Sequence, residues 1–274
     1  MFINRSLFCG LLGILSFSTA NANLPQSSLV PGGIAVIKLN HPQADKPKVL
    51  FNNHPAAVLK HQDAWITVIG IPLEAKPGLL IFTVIGIQEF KETFKIGSKS
   101  YQEERLTISD PDKVSPRSPA DQQRVLNEIS QIKALYANFD DRELDDLTLL
   151  PPTVGRKSSP FGFKRILNGI PKAAHSGLDI AAPIGTPVLA PKSGVIVKTK
   201  EFFFNGKSIF IDHGQGLITN YCHLDSIEVQ EGQYVQRGDL IGKVGMTGRV
   251  TGPHLHWSVS LNNVRVDPQL FLFD

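Results

Sequence analysis

Short apolar runs that alternate with polar positions dominate the chain from about residue 33 to residue 108, and Pro and Gly residues separate them. The strand-like runs are Ile34–Leu39, Lys48–Phe51, Ala56–Leu59, Trp65–Ile71, Leu79–Ile85, Glu92–Ile96 and Glu103–Ile108. Several short strands at regular spacing are typical of an all-β sandwich or barrel. We therefore predict a small β-rich domain over residues 23–108.

A polar, proline-rich stretch and one helical pattern follow. Residues 109–119 read as a linker because three prolines stand among polar residues. Ser118, Pro119 and Asp121 form a typical helix start, with an N-cap, a first-position proline and a first-turn acid. The apolar residues that recur at helical spacing are Val125, Ile129, Ile132 and Tyr136. We predict a linker with one helix over residues 109–150, with that apolar face packed.

A second, glycine-rich region of β-like runs extends from about residue 158 to residue 273. Its runs are Pro187–Ala190, Gly194–Thr199, Ser208–Asp212, Leu217–His223, Ser226–Val229, Asp239–Val244 and His254–Leu261. Turn dipeptides such as Asn-Gly and Glu-Gly separate them. We predict a β-sheet domain over residues 151–274, so the fold class is mainly β: a small β-sandwich-like domain, a linker helix and a C-terminal β-sheet domain.

The first 22 residues have the pattern of a secretory signal peptide. Arg5 precedes an apolar run over residues 7–17, and the small residues end in Ala-Asn-Ala at Ala22. The run is about half of the ~20 residues that a membrane span needs, which disfavours the alternative of an uncleaved anchor. We expect cleavage near Ala22 and export to the periplasm or cell envelope. The mature chain would keep one cysteine, Cys222, and so no intrachain disulfide.

The net charge and the hydrophobic fraction exclude some classes of protein. The formal net charge of the 274 residues is only +3, and 42% of them are hydrophobic. The apolar fraction allows a packed core and excludes wholesale disorder. The small net charge excludes a strongly basic nucleic-acid binder.

The chemistry-bearing residues gather in the C-terminal region. In a strand over 254–261, alternate side chains point to the same face, so His254 and His256 share one face with two serines while Leu255 and Trp257 face the core. Two imidazoles presented together on a rigid strand suit metal binding or proton transfer. His175 and Asp179 form an H-x-x-x-D pair, which supplies two competent zinc ligands but is a weak signal alone.

Two further observations refine this picture. His223 lies in a Tyr-Cys-His-Leu run. Alone it would be interpreted as a structural histidine, but together with the other two motifs it becomes a candidate site residue. The chain contains no His-Glu-x-x-His, which excludes the zincin arrangement with its helical glutamate base. His41, His54 and His61 are scattered between strand-like runs and are expected to be surface histidines.

These motifs resemble those of the lysostaphin/LytM-type zinc metallopeptidases, which cut the peptide part of bacterial peptidoglycan. The resemblance covers most of residues 158–268. The matching segments are Ser159–Gly162, His175–Pro183, Gly185–Val188, Gly194–Ile196, His213-Gly214, Tyr221–Leu224, Gly232–Gly238 and Thr251–His256. The resemblance of the N-terminal half and helix to the accessory region of such exported proteins is weaker.

The resemblance implies a role for each site residue. His175, Asp179 and His256 would be ligands of one zinc ion, with a fourth position left for water or substrate. His223 and His254 would stay off the metal as the catalytic acid and base, in an order that the sequence leaves open. The activity implied is a zinc metalloendopeptidase with peptidoglycan as its partner, while protein partners in the wall or division machinery stay unknown.

Three further positions, Ser258, Asn168 and His213, bear on how closely the chain follows the family pattern. Family members more often carry an acid where this chain has Ser258, which puts a contact behind the zinc ligands in doubt. Asn168 precedes His175, but matching it to the asparagine that blocks zinc in some latent members would be a guess. His213 follows Asp212 and is interpreted as structural.

Two other function classes compete with the enzyme. A catalytically inactive relative that regulates other wall hydrolases would have lost zinc ligands, and all five site positions are filled here. A lipoyl or biotinyl carrier is suggested by the turn-rich segment Val229–Gly245, but its characteristic lysine motif is missing. For the enzyme, the bond cut stays open between D-alanyl–diamino-acid cross-links, which we prefer, and glycine bridges.

Overall fold

The computed structural model describes residues 24–40 and 45–272. The predicted signal peptide and His41 lie outside the described residues. Strands are the main regular structure of the described chain, with one long helix, which confirms the mainly-β prediction. None of its helices has the length and apolar character needed to cross a membrane.

The N-terminal region forms two antiparallel sheets. Its strands are β1 (Ile34–Lys38), β2 (Lys48–Phe51), β3 (His54–Pro55), β4 (Ala57–His61), β5 (Ala64–Gly70), β6 (Gly78–Ile85) and β7 (Glu89–Ile96). One sheet has the order β1-β5-β4 and the other β3-β2-β6-β7. The sandwich-like arrangement predicted from the alternating pattern is therefore present.

The connecting region holds β8 (Glu103–Leu106), α1 (Pro111–Val114) and α2 (Pro119–Ala137). The helix start is the predicted one, because the Ser118 side chain accepts a hydrogen bond from Asp121 N. The stretch interpreted as a plain linker contains the short helix α1, and Val114 packs with Ile108 and Leu167 in a small apolar cluster.

The predicted packing face of α2 is partly wrong. Ile129 is 44% exposed, whereas Glu128 is buried. The Glu128 carboxylate accepts a hydrogen bond from Phe203 N and pairs with Arg124 at 2.8 Å. Satisfying a buried N–H with a neutralised carboxylate rotates Ile129 towards solvent, while Tyr136 still packs on the sheet below.

The C-terminal region is built on one large sheet. Its elements are β9 (Arg156–Ser159), β10 (Lys164–Leu167), β11 (Ile170–Pro171), β12 (Leu178–Ala181), β13 (Pro187–Leu189), β14 (Gly194–Phe202), β15 (Gly206–Asp212), β16 (Ile218–Ile227), β17 (Tyr234–Val235), β18 (Leu240–Val244), β19 (His254–Leu261), β20 (Val264–Val266) and a 3-10 helix at Pro268–Phe271. The sheet order is β17-β14-β15-β16-β19-β12-β9, while β8 joins β10 in parallel in a separate sheet with β11.

The sheet β1-β5-β4 is the middle layer of the molecule. Alternate residues such as Leu59 and Val68 belong to the core of the C-terminal sheet. Their neighbours Val58 and Ile69 belong to the core of the N-terminal sandwich. Strand alternation thus gives this sheet two apolar faces, and each packs against a different sheet. The predicted domain limits at 108/109 and 150/151 stay a prediction.

The two faces of the C-terminal sheet differ in character. The face towards the middle layer is apolar and contains Trp257, Tyr221 and Leu178. The opposite face carries the polar side chains of β19, and α2 lies over it, since Asn220 donates a hydrogen bond to the Tyr136 hydroxyl. The candidate site lies on this second face.

Candidate active site

Strand β19 places the histidine pair as its alternation predicts. Its polar face carries His254 and His256, while Leu255 and Trp257 are fully buried in the core. His256 stands opposite Asp179 in the ladder with β12 and opposite Cys222 in the ladder with β16. The antiparallel pairing therefore brings Asp179 beside His256, although 77 positions separate them in the chain.

Three ligand atoms converge at this point. His175 Nε2 lies 3.0 Å from Asp179 Oδ1 and 2.9 Å from His256 Nδ1, and His256 Nδ1 lies 2.8 Å from Asp179 Oδ1. The His175 side chain is fully buried, while those of Asp179 and His256 are 8% and 14% exposed. The three residues thus form one compact, nearly enclosed cluster.

The cluster fits a zinc ion. Two imidazoles and one carboxylate are a usual zinc donor set, and tetrahedral bonds of about 2.0–2.2 Å would separate the ligand atoms by roughly 3.3–3.6 Å. The observed triangle is a few tenths of an ångström smaller. A small outward movement of the three side chains would admit the ion, and three protein ligands would leave a fourth position for water or substrate.

Hydrogen bonds behind the cluster orient both imidazoles. His175 Nδ1–H donates to Pro160 O at 2.8 Å, which leaves Nε2 as the free lone pair. His256 Nε2–H donates to Ser258 Oγ at 2.9 Å, which leaves Nδ1 free. Such contacts fix the tautomer of a metal-binding histidine. Ser258 therefore fills the position that the sequence left in doubt for want of an acid.

The H-x-x-x-D turn approaches β19 too closely for a side chain at Gly177. A Cβ there would lie 2.5 Å from Trp257 O and 2.7 Å from Ser258 Oγ. Glycine is required because the turn must bring both His175 and Asp179 onto the strand that carries His256.

Asp179 has a second partner that the sequence reasoning missed. Arg165 Nη2 donates to Asp179 Oδ2 at 2.8 Å, and Arg165 Nε lies 3.4 Å from Glu104 Oε2. Ser159 Oγ also donates to Glu104 Oε2 at 3.1 Å. Glu104 belongs to β8, so the connecting region reaches the candidate metal site. No local sequence pattern predicts the contact between Glu104 and Arg165, because it depends on the parallel pairing of β8 with β10.

A β-bulge turns His223 towards the site. Lys207 pairs with Leu224 and Ile209 with Tyr221, so two residues of β16 stand opposite the single Ser208 of β15. His223 has the positive φ of 64° that such a break requires. Its ring lies 4.9 Å from that of His254, centroid to centroid.

His223 and His254 present the same nitrogen to the site. His223 Nδ1–H donates to Thr247 O at 2.8 Å, and His254 Nδ1–H donates to Gly252 O at 2.8 Å. Each Nε2 is therefore an acceptor. His254 Nε2 lies 3.9 Å from Asp179 Oδ1. The structure brings all five predicted site residues together, with these two beside the ligand triangle.

The protonation states suit metal binding. Burial lowers the pKa of His256 to about 4, although the adjacent Asp179 carboxylate favours the protonated ring. Burial also holds the pKa of His223 well below its usual value, and neighbouring His254 adds to this. Burial alone would raise the pKa of Asp179, but the adjacent imidazoles of His175 and His256, which can donate to the carboxylate when they are protonated, outweigh that and keep the pKa well below its usual range. A carboxylate and neutral imidazoles are the forms that ligate a metal.

Two other residues lie apart from the cluster. Asn168 exchanges two hydrogen bonds with the backbone of Ile108, at 2.8 and 2.9 Å, so its side chain is engaged away from the ligands. His213 is buried, donates to Ser193 O and contacts Thr219 Oγ1. Its position agrees with the structural interpretation.

Protein-family models match both halves of the chain. The model of Peptidase family M23 matches residues 173–268, and that of the Peptidase family M23 N-terminal domain matches residues 27–99. Peptidoglycan DD-endopeptidase ShyC of Vibrio cholerae is 42% identical over 116 residues, 42% of this chain and 27% of that protein. DD-carboxypeptidase/endopeptidase Mpg of Neisseria meningitidis is 39% identical over 127 residues, 46% of this chain and 29% of that protein. The matches thus span less than a third of these curated relatives.

The likeness to a solved structure extends over nearly the whole chain. A crystal structure of a peptidase M23 from Pseudomonas aeruginosa is 40% identical, with a TM-score of 0.77. The alignment covers 89% of this chain and 95% of that one. With two family models in the expected order and a relative matched almost end to end, the chain belongs to peptidase family M23.

Proposed function

We propose that the protein is a zinc metalloendopeptidase that hydrolyses peptide bonds of bacterial peptidoglycan. The observation that carries this is the triangle of His175 Nε2, Asp179 Oδ1 and His256 Nδ1, with the Nε2 atoms of His223 and His254 beside it. The curated relatives named above, a peptidoglycan DD-endopeptidase and a DD-carboxypeptidase/endopeptidase, support the substrate class.

The chemistry divides between the metal and the chain. A zinc ion held by the triangle would polarise the scissile carbonyl and make a water molecule nucleophilic at neutral pH. His223 and His254, fixed through Nδ1, each present an Nε2 that can accept a proton from the attacking water. After protonation the same atom can donate to the leaving amine or to the oxyanion.

A basic cavity lies next to the ligand turn, but none of the five site residues lines it. Its volume is about 1140 Å³, and Ala174 and Ser176, the neighbours of His175, form part of its wall. The charged residues that line it are Lys99, Lys133, Lys164, Arg265 and Glu74. Four cations against one anion make this neighbouring cavity attractive to anionic groups in general.

The place of action and the bond are also part of the proposal. The signal-peptide pattern of residues 1–22 supports export, cleavage near Ala22 and action in the periplasm or cell envelope. Among bonds, we favour the D-alanyl–diamino-acid cross-link over glycine bridges. The names of the curated relatives point the same way.

The inactive-regulator alternative lacks support in the described residues. Such a relative would have lost ligands, whereas this chain has a complete set with both imidazoles oriented from behind. A carrier module would have no use for a buried pair of oriented histidines.

Digestion of purified sacculi tests the proposal. Residues 23–274, loaded with zinc, should release soluble fragments whose masses match cleavage of cross-links or stem peptides. The same protein treated with a chelator and the His256→Ala variant should release none. An absence of fragments from a protein with full zinc occupancy would contradict the enzymatic proposal.

A further inference from the structure

Arg249, which has no ion-pair partner among the described residues, lies in the loop whose Thr247 carbonyl holds His223. This loop joins β18 and β19, and Arg249 follows Thr247 by two residues. Its backbone N donates to Phe204 O at 2.8 Å, and its guanidinium carbon lies 4.3 Å from the centre of the Phe204 ring. The loop and the aromatic ring thus fix the position of the guanidinium.

No acidic side chain of the described residues pairs with Arg249. Its one side-chain hydrogen bond within that part of the chain is a long 3.5 Å contact to Lys113 O. Burial, and then the like charge of Arg165, lowers its pKa to about 10, so it stays a cation at neutral pH. A partly buried, unpaired cation is costly, and an anion that enters the site would offset that cost.

Arg165 connects this charge to the metal site. Its Nη2 holds Asp179, its side chain is 20% exposed, and its Nη1 makes no hydrogen bond within residues 24–40 and 45–272. Arg249 is close enough to Arg165 for the two like charges to affect each other, and Arg165 in turn contacts Asp179 of the ligand triangle. A guanidinium presents a planar fork of donors that matches a carboxylate.

We propose that Arg249, with the free edge of Arg165, binds a substrate carboxylate on the residue that supplies the scissile amide nitrogen. This inference rests on the function proposed above and selects among its bonds. In a D-alanyl–diamino-acid cross-link, the carbon attached to the scissile nitrogen also bears a free carboxylate. In a glycine bridge that carbon leads into another amide, which is neutral.

Two matched soluble substrates test the subsite. One is a cross-linked muropeptide dimer with a free carboxylate beside the scissile amide, and the other is the same dimer with that carboxylate amidated. The zinc-loaded mature protein should prefer the free carboxylate by about 10- to 100-fold in kcat/KM, the usual contribution of a charged hydrogen-bond pair.

Variants then locate the preference. Arg249→Met keeps the apolar stem against Phe204 and should remove most of the preference by slowing only the carboxylate substrate. Arg249→Lys, which keeps the charge without the fork, should retain an intermediate preference. Arg105→Met is the control, because Arg105 is 71% exposed and its ion pair among the described residues is with Glu103. Zinc content and melting temperature establish that each variant is folded.

The outcomes separate the two proposals. If the wild-type protein cuts neither dimer and releases no fragments from sacculi, the proposed function fails. If it digests sacculi but cuts neither dimer, the carboxylate subsite is overturned. If it cuts both equally, or if Arg249→Met slows both equally with zinc retained, the enzyme stands and the carboxylate subsite is overturned. As a second readout, the released acceptor peptide should inhibit the wild-type protein more strongly than Arg249→Met.

Discussion

The Nε2–H of His256 donates to the hydroxyl of Ser258 across 2.9 Å, two positions further along the same face of β19. One strand therefore supplies both a ligand and the group that orients it. The neighbouring Ser260 on that face is also fully buried, but its Oγ has no hydrogen-bond partner within the described residues. The two serines form a matched pair for experiment.

Ser258→Ala should weaken zinc binding by about 10- to 100-fold, the usual effect of losing a contact behind a metal ligand. Ser260→Ala should leave it unchanged, because no hydrogen bond is lost. Competition with a chromophoric chelator measures both affinities. Equal affinities in the two variants would show that Ser258 does not orient His256.

Variants of the proposed zinc-ligand histidines and of the proposed proton-transfer histidines should differ in whether they retain zinc. His175→Ala removes a ligand and should lose both zinc and activity. His254→Ala and His223→Ala should keep zinc but lose turnover by about 10²- to 10⁴-fold, since each removes a proton-transfer group. His54→Ala is the control far from the site. Metal analysis and fragment release are the measurements. Loss of zinc from His254→Ala would show that His254 is a zinc ligand and would contradict its assignment as a proton-transfer group.

The contact between the middle sheet and the C-terminal sheet can be weakened at one side chain. Asn262 accepts from Gly70 N at 2.6 Å and donates to Gly70 O at 3.2 Å, and both groups are buried. Asn262→Ala should lower the free energy of unfolding by about 1–3 kcal/mol more than Asn263→Ala. Both residues have positive φ, 41° and 63°, so the backbone penalty is shared. Urea unfolding measures both free energies. Equal losses of unfolding free energy in the two variants would rule out a stabilising role for the contact between Asn262 and Gly70.

His213 should make stability depend on pH. Burial lowers its pKa to about 4 in the folded state, against an ordinary value of about 6.5. The folded state therefore keeps His213 neutral while the unfolded chain binds a proton, so its contribution is full above pH 6.5 and is lost as pH falls towards 4. Between pH 7 and pH 5 the loss is about 2 kcal/mol.

Comparison with His213→Gln isolates this effect. The urea-derived free energy of unfolding should fall by about 2 kcal/mol more for the wild-type protein than for the variant over that interval. Parallel pH dependences would mean that His213 is not the titrating group. Both proteins carry the same metal-site histidines, whose contributions cancel in the difference.

The sequence alone determined the local features of this protein. Strand alternation put His254 and His256 on one polar face and Trp257 in the core, because the side-chain period of a strand is two wherever the strand lies. The Ser118 cap fixed the start of α2 for an equally local reason. The family motifs then named five candidate site residues, and the structure brings them together.

Tertiary structure decided what depends on distant partners. The bulge that turns His223 exists only because β15 and β16 pair out of register, and the burial of Glu128 in place of Ile129 depends on Phe203 N, 75 positions away. Arg165 gains its role from Asp179 and from Glu104 on β8. Such contacts form when strands and helices dock, because buried polar groups must find partners wherever packing places them, and no local period encodes that choice.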